Sequence, residues 1–190
     1  MTSLDRIEAN WVYGGVLAGI LLLLLAPLFV AGWERPAVLA FLALPVYMLH
    51  QFEEHDDDRF RRFVNSVLGH GREILTVRAV FVINFVGVWL LLAACLWLVR
   101  VSGPEWAALA GWLIVVNGLL HVGQAVALQR YNPGLVTAAL LFLPLGALTL
   151  SAAWTVATGL VFWLSLAIAV ALHAWILVHV RRALERAPSV

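Results

Sequence analysis

Along this chain, apolar residues run for about twenty positions at a time before short polar stretches interrupt them. A helix of roughly 20 apolar residues crosses the hydrocarbon of a bilayer. Six segments qualify, at about 11–32, 36–55, 78–100, 105–128, 133–153 and 157–180. "GWERP" separates the first two, "RVSGPE" the third and fourth, and "QRYNP" the fourth and fifth, while "SAAWTVATG" marks the last and weakest break. Ser102 is the expected N-cap of the fourth helix, with Pro104 in its first turn, where a missing N–H costs nothing. Asn132 and Pro133 repeat that pattern before the fifth. Pro45 and Pro144 are expected to kink spans two and five. Only the connection from Asp56 to Arg78 is long. It mixes Arg with Phe, Val, Leu and Ile, which suits either an amphipathic helix on the membrane surface or a solvated loop. Gly15 and Gly19, four apart, suit close helix packing.

Composition agrees with this pattern. The 190 residues are 63% hydrophobic and 12% charged, with a mean hydropathy of +0.95. No water-soluble core of this length hides that much apolar surface, so the expected fold is all-α: one polytopic membrane domain over residues 1–190, a six-transmembrane-helix bundle. The first apolar stretch is too long for a cleavable signal and lacks a basic leader, so it is expected to remain as a span. Cys95 is alone, which excludes a disulfide framework. Charge then sets orientation. Arg6, Arg59, Arg61, Arg62, Arg72, Arg78, Arg130, Arg181, Arg182 and Arg186 fall on one side of the six spans; Arg35 and Arg100 fall on the other. The positive-inside rule places both termini in the cytoplasm, and Trp33, Trp97, Trp106 and Trp154 mark the outer interface. Using Arg without any Lys suggests a GC-rich bacterial genome, hence a bacterial cytoplasmic (inner) membrane.

Orientation converts sequence position into depth. At 1.5 Å per residue, His50 and Asn84 lie about 9 Å inside their helix ends, and His121 and His173 roughly 12–14 Å inside theirs. Polar residues from four spans thus share one layer in the cytoplasmic half of the bilayer. At about 100° per residue, Glu53 and Glu54 lie on the same side of span two as His50, and Asn117, His121 and Gln124 form one stripe on span four. Ionisable groups at such depth face the bundle interior and one another.

Imidazole and carboxylate are the common donors for zinc and iron, and one helix can supply two ligands at i,i+4. The expected ligands of a divalent metal are His50, Glu54, His121 and His173, with Glu53 as the catalytic acid/base. "HQFEE" is similar to the inverted zincin pattern H-x-x-E-H, with Glu54 in place of its last histidine. If Glu53 bridges, a two-metal carboxylate site also fits. Asn84, Asn117, Gln124, Arg130 and Tyr131 are expected to line substrate or to support the ligands. The plainer reading of each residue is a hydrogen bond that ties helices together. The start of span five, at "RYNPG", can hold an anion or simply begin a helix. His55, His70 and Asp56–Asp58 are expected to be solvated, and His179 to sit at the interface.

Together, "HQFEE" (His50, Glu53, Glu54), "NGLLH" (Asn117, His121) and "YNPG" (Tyr131, Pro133, Gly134) resemble the HXXEE-domain family of membrane proteins. The resemblance runs from span two to span five and implies important residues without implying a reaction. His173 lies outside it. The function expected from these readings is a metal-dependent membrane enzyme, zinc or iron, acting on a lipid or apolar small molecule at the cytoplasmic leaflet. Hydrolysis is favoured over di-iron oxidation. The alternatives are a proton- or metal-coupled transporter and a non-catalytic scaffold.

Overall fold

The computed structural model describes residues 2–186. Among them are α1 (Ser3–Phe29), α2 (Arg35–His55), a short α3 (Arg59–Phe63), α4 (Val77–Val101), α5 (Pro104–Leu128), α6 (Leu135–Trp154) and α7 (Gly159–Arg186). All six segments read as spans form helices long and apolar enough to cross a membrane, and no strand occurs among the described residues. The protein is an integral membrane helix bundle. In lipid every backbone polar group must be satisfied within its own segment, and helices do that.

Small residues let the helices approach. A Cβ on Gly15 would fall 2.7 Å from the Trp89 ring of α4, and one on Gly19 would fall 2.9 Å from Met48 Cβ of α2. The Gly15/Gly19 pair therefore seats α1 against both helices, as its spacing predicts. Pro45 is buried within an unbroken α2. Pro144 follows a wide π-type turn at Ala138–Phe142, and a second such turn, Phe85–Leu90, follows Asn84 in α4. Such turns cluster at functional sites because they re-aim the side chains beside them.

Two expected caps are corrected. Ser102 closes α4 instead of opening α5; the residue before Pro104 is Gly103, at φ +138°. Asn132 is not the N-cap of α6 either. That place belongs to Gly134, and Asn132 is fully buried and turned towards α5. The long connection is neither a free surface helix nor a solvated loop. Asp57 and Asp58 adopt left-handed backbone, which aspartate tolerates better than most residues, and α2 ends there. Asp56, Asp57 and Asp58 then pair with Arg59, Arg62 and Arg61. After α3, Asn65 accepts from the backbone N–H groups of Ile74 and Leu75 and donates to the Leu75 carbonyl. This fold-back buries Val64, Ile74 and Leu75 against Trp11, Val12 and Val80.

Candidate metal centre

Glu54 lies at the end of α2, its side chain 8% exposed, with imidazoles on several sides. His50 Nε2 is 3.5 Å from Glu54 Oε2, and His121 Nε2 of α5 is 3.5 Å from Glu54 Oε1. Ligating atoms from these three residues lie within 4.8 Å of one another. A metal ion bound tetrahedrally at about 2.0–2.1 Å holds its ligands about 3.3–3.4 Å apart, so this group could hold one ion with a small inward shift of its side chains.

The network behind the rings fixes what they present. Thr137 Oγ1 donates to Glu53 Oε2, so it accepts from His50 Nδ1–H at 2.8 Å. Asn132 Nδ2 donates to the His121 carbonyl, which turns its Oδ1 to accept from His121 Nδ1–H at 2.9 Å. Both histidines are thereby assigned the tautomer whose Nε2 carries a lone pair. Each lone pair faces a carboxylate oxygen. Three acceptors converge with no donor among the three groups, and the fully buried His50 Nε2 has no hydrogen-bond partner. Such a cluster is costly unless a cation joins it. The donor set, two imidazole nitrogens and one carboxylate, suits a divalent metal, and the bonds from each Nδ1 are those that orient metal-bound histidines.

Glu53 points elsewhere. Its Oε1 accepts from Tyr131 Oη at 2.8 Å and from the Val136 N–H; its Oε2 accepts from the N–H and Oγ1 of Thr137. The carboxylate thus occupies the amino end of α6, where partial positive charge and unpaired N–H groups favour an anion. Burial and this bond to Glu53 raise the Tyr131 phenol above its ordinary pKa, so it remains a donor. Gly134, at φ +93°, lies against both rings: an added Cβ would come within 2.8 Å of His121 Cε1 and 2.9 Å of His50 Cε1. Only glycine meets both demands.

His55 is buried, not solvated, because α3 folds back over it with Phe60 against its ring. Its Nε2 is 3.1 Å from Glu54 Oε2 and 3.2 Å from Asn84 Nδ2. That nitrogen can donate to the first or accept from the second. Trp89 Nε1, a donor only, orients Gln51, which donates in turn to Asn84 Oδ1.

A cavity of about 420 Å³ opens beside Glu54 and His121, between α4, α5 and α7. Asn84, Asn117, Gln124 and His173 line it, so the predicted polar layer does converge there. His173 is not among the three clustered ligands; its Nδ1–H is held by the Ala169 carbonyl. Arg130 lies over the Phe63 ring and lines neither the cluster nor the cavity. His70 is exposed, as expected, and His179 is exposed beside the Trp175 ring. Thr137, Asn132 and His55 carry site roles that sequence reasoning did not assign. Asn132 lies within "YNPG", Thr137 follows it by three residues, and His55 directly follows "HQFEE", which is the only local signal for them.

No curated protein and no solved structure matches this chain. A family model does, over residues 41–149, an interval that includes every ligand of the cluster and each residue orienting them, and that leaves out α1, α7 and His173. The chain belongs to the family described as "Protein of unknown function with HXXEE motif".

Proposed function

We propose that this protein is an intramembrane hydrolase that uses one divalent metal ion, zinc or iron, on a lipid or apolar molecule reached from the cytoplasmic leaflet. One observation carries the reading: His50 Nε2, His121 Nε2 and the Glu54 carboxylate meet as acceptors only, beside a largely apolar cavity. A bound divalent ion supplies Lewis acidity and an acidified water. The chain's own residues do the remaining work. His50, Glu54 and His121 hold the ion. Glu53 is a positioning residue, because both its oxygens are occupied and it does not line the cavity. It orients Thr137, which orients His50. Asn132 does the same for His121. His173, on the cavity wall with Nδ1–H tied to backbone, keeps Nε2 to accept the proton lost by attacking water. Phe60 covers His55 and His121 on the side of the long connection and excludes bulk water.

Two His and one carboxylate also suit non-haem iron oxidation. A second metal has less support, because Glu53, its natural bridging ligand, is engaged elsewhere. Transport has less support too: beyond the polar layer the bundle is filled by an apolar core that includes Ala108, Leu113, Ile114 and Phe142. The arginine distribution favours the cytoplasmic side for the site, and the absence of Lys favours a bacterial inner membrane. The test is elemental analysis of the protein purified in detergent. The expected result is about one metal per chain in wild type, lost in His50→Ala and His121→Ala and kept in His179→Ala. Wild type without metal above background overturns the proposal.

A further inference from the structure

The cavity beside Glu54 has an unusual wall. Its mouth is formed by exposed Leu119 (56%) and Leu120 of α5 and Leu177 (58%) of α7, which in a bilayer face acyl chains and not water. Gly123 stands among them. A Cβ there would meet nothing within 4 Å, so its lack of a side chain is not required by packing. Glycine in a helix interior is about 1 kcal/mol less favourable than alanine. A glycine with no steric reason, at a cavity mouth, leaves an opening.

Inside, Asn117 Oδ1 is buried without a hydrogen-bond partner. Asn117 lines the cavity four residues, hence about 6 Å, from His121 along α5. A buried amide oxygen without a donor costs about 1–3 kcal/mol, which a ligand O–H or N–H relieves. Ile83, Val88, Leu172 and Ile176 give much of the remaining wall an aliphatic surface. Its 420 Å³ is roughly three times the ~150 Å³ cavity that takes one benzene ring, so it holds about fifteen non-hydrogen atoms.

Resting on the reading of this cavity as the reaction chamber, we infer that its substrate is a single-chain aliphatic amphiphile bearing an O–H or N–H group. It enters sideways from the lipid past Gly123 and donates a hydrogen bond to Asn117 Oδ1 once that amide, closed off from the cavity as it stands, turns towards it. A two-chain lipid does not fit whole; only one of its chains does.

Photolabelling of the full chain in lipid nanodiscs tests this, using a diazirine-bearing alcohol of about twelve carbons and the matching alkane. The alcohol is expected to label Leu119, Leu120, Ile176 and Leu177 in preference to the lipid-facing side of α1. Labelling at those positions should fall about tenfold in Gly123→Phe, whose ring would stand in the opening that the glycine leaves. It should fall about three- to tenfold in Asn117→Leu. Metal content measured on the same Gly123→Phe sample should stay at the wild-type value. Labelling spread evenly over all lipid-facing helices, or unchanged in Gly123→Phe, overturns the portal. Equal labelling by alkane and alcohol overturns the polar contact. Cavity labelling in a protein that binds no metal upholds this inference while removing the metal reading, and metal without cavity labelling does the reverse.

Discussion

Thr137 shows how much one hydroxyl carries. It accepts a hydrogen bond from His50 Nδ1–H and donates one to Glu53 Oε2, so it transmits the orientation of a carboxylate to a ring that Glu53 does not touch. Thr137→Val keeps the shape and removes the relay, leaving His50 Nδ1–H buried without an acceptor. Metal affinity is expected to fall about 10–100-fold, the usual effect of removing such a partner. Thr137→Ser should restore it, as competition against a chromogenic chelator would reveal. Gly134 is stricter. Gly134→Ala forces a Cβ between two rings at a backbone angle that L-residues resist, so it should abolish metal binding and lower the melting temperature. If Gly134→Ala binds metal like wild type, the loop does not define the site.

Among the elements, α1 depends on two glycines that a neighbouring one does not resemble. Gly15 and Gly19 have no room for a side chain, whereas Gly14 meets nothing within 4 Å. Gly19→Leu should destabilise by about 1–3 kcal/mol through overpacking, and Gly14→Leu by less than about 0.5, read as thermal unfolding in detergent. Equal effects of the two would show that α1 is held by its apolar stripe alone. Helical periodicity made this seam legible, as it did the stripe of Asn117, His121 and Gln124. It failed where the chain is irregular. Asn132 looked like an N-cap because Asn before Pro usually is one; its true role depends on α5 lying directly behind it. Glu53 and Glu54 looked like one functional pair beside His50. Their 100° separation instead sends Glu53 to α6 and Glu54 towards α5, a divergence visible only once the neighbours on both flanks are known. His55 looked solvated because nothing in the pattern showed that α3 folds back over it.

Across the whole molecule, the six spans were legible because lipid imposes one length on them all. The orientation we propose rests on arginine, ten residues against two. A cytoplasm-active reporter fused after α7 should be active, and a periplasm-active one silent; the opposite outcome would place the reaction chamber in the outer leaflet. The loop that joins α5 to α6 also bears on biogenesis. His50 and His121 are both present once four spans have been inserted, yet the acceptors for both Nδ1 atoms, and the glycine that spaces their rings, are translated afterwards. A nascent chain halted before Asn132 therefore holds His50, Glu54 and His121 and lacks the means to aim them, so on the metal reading capture would await the fifth span.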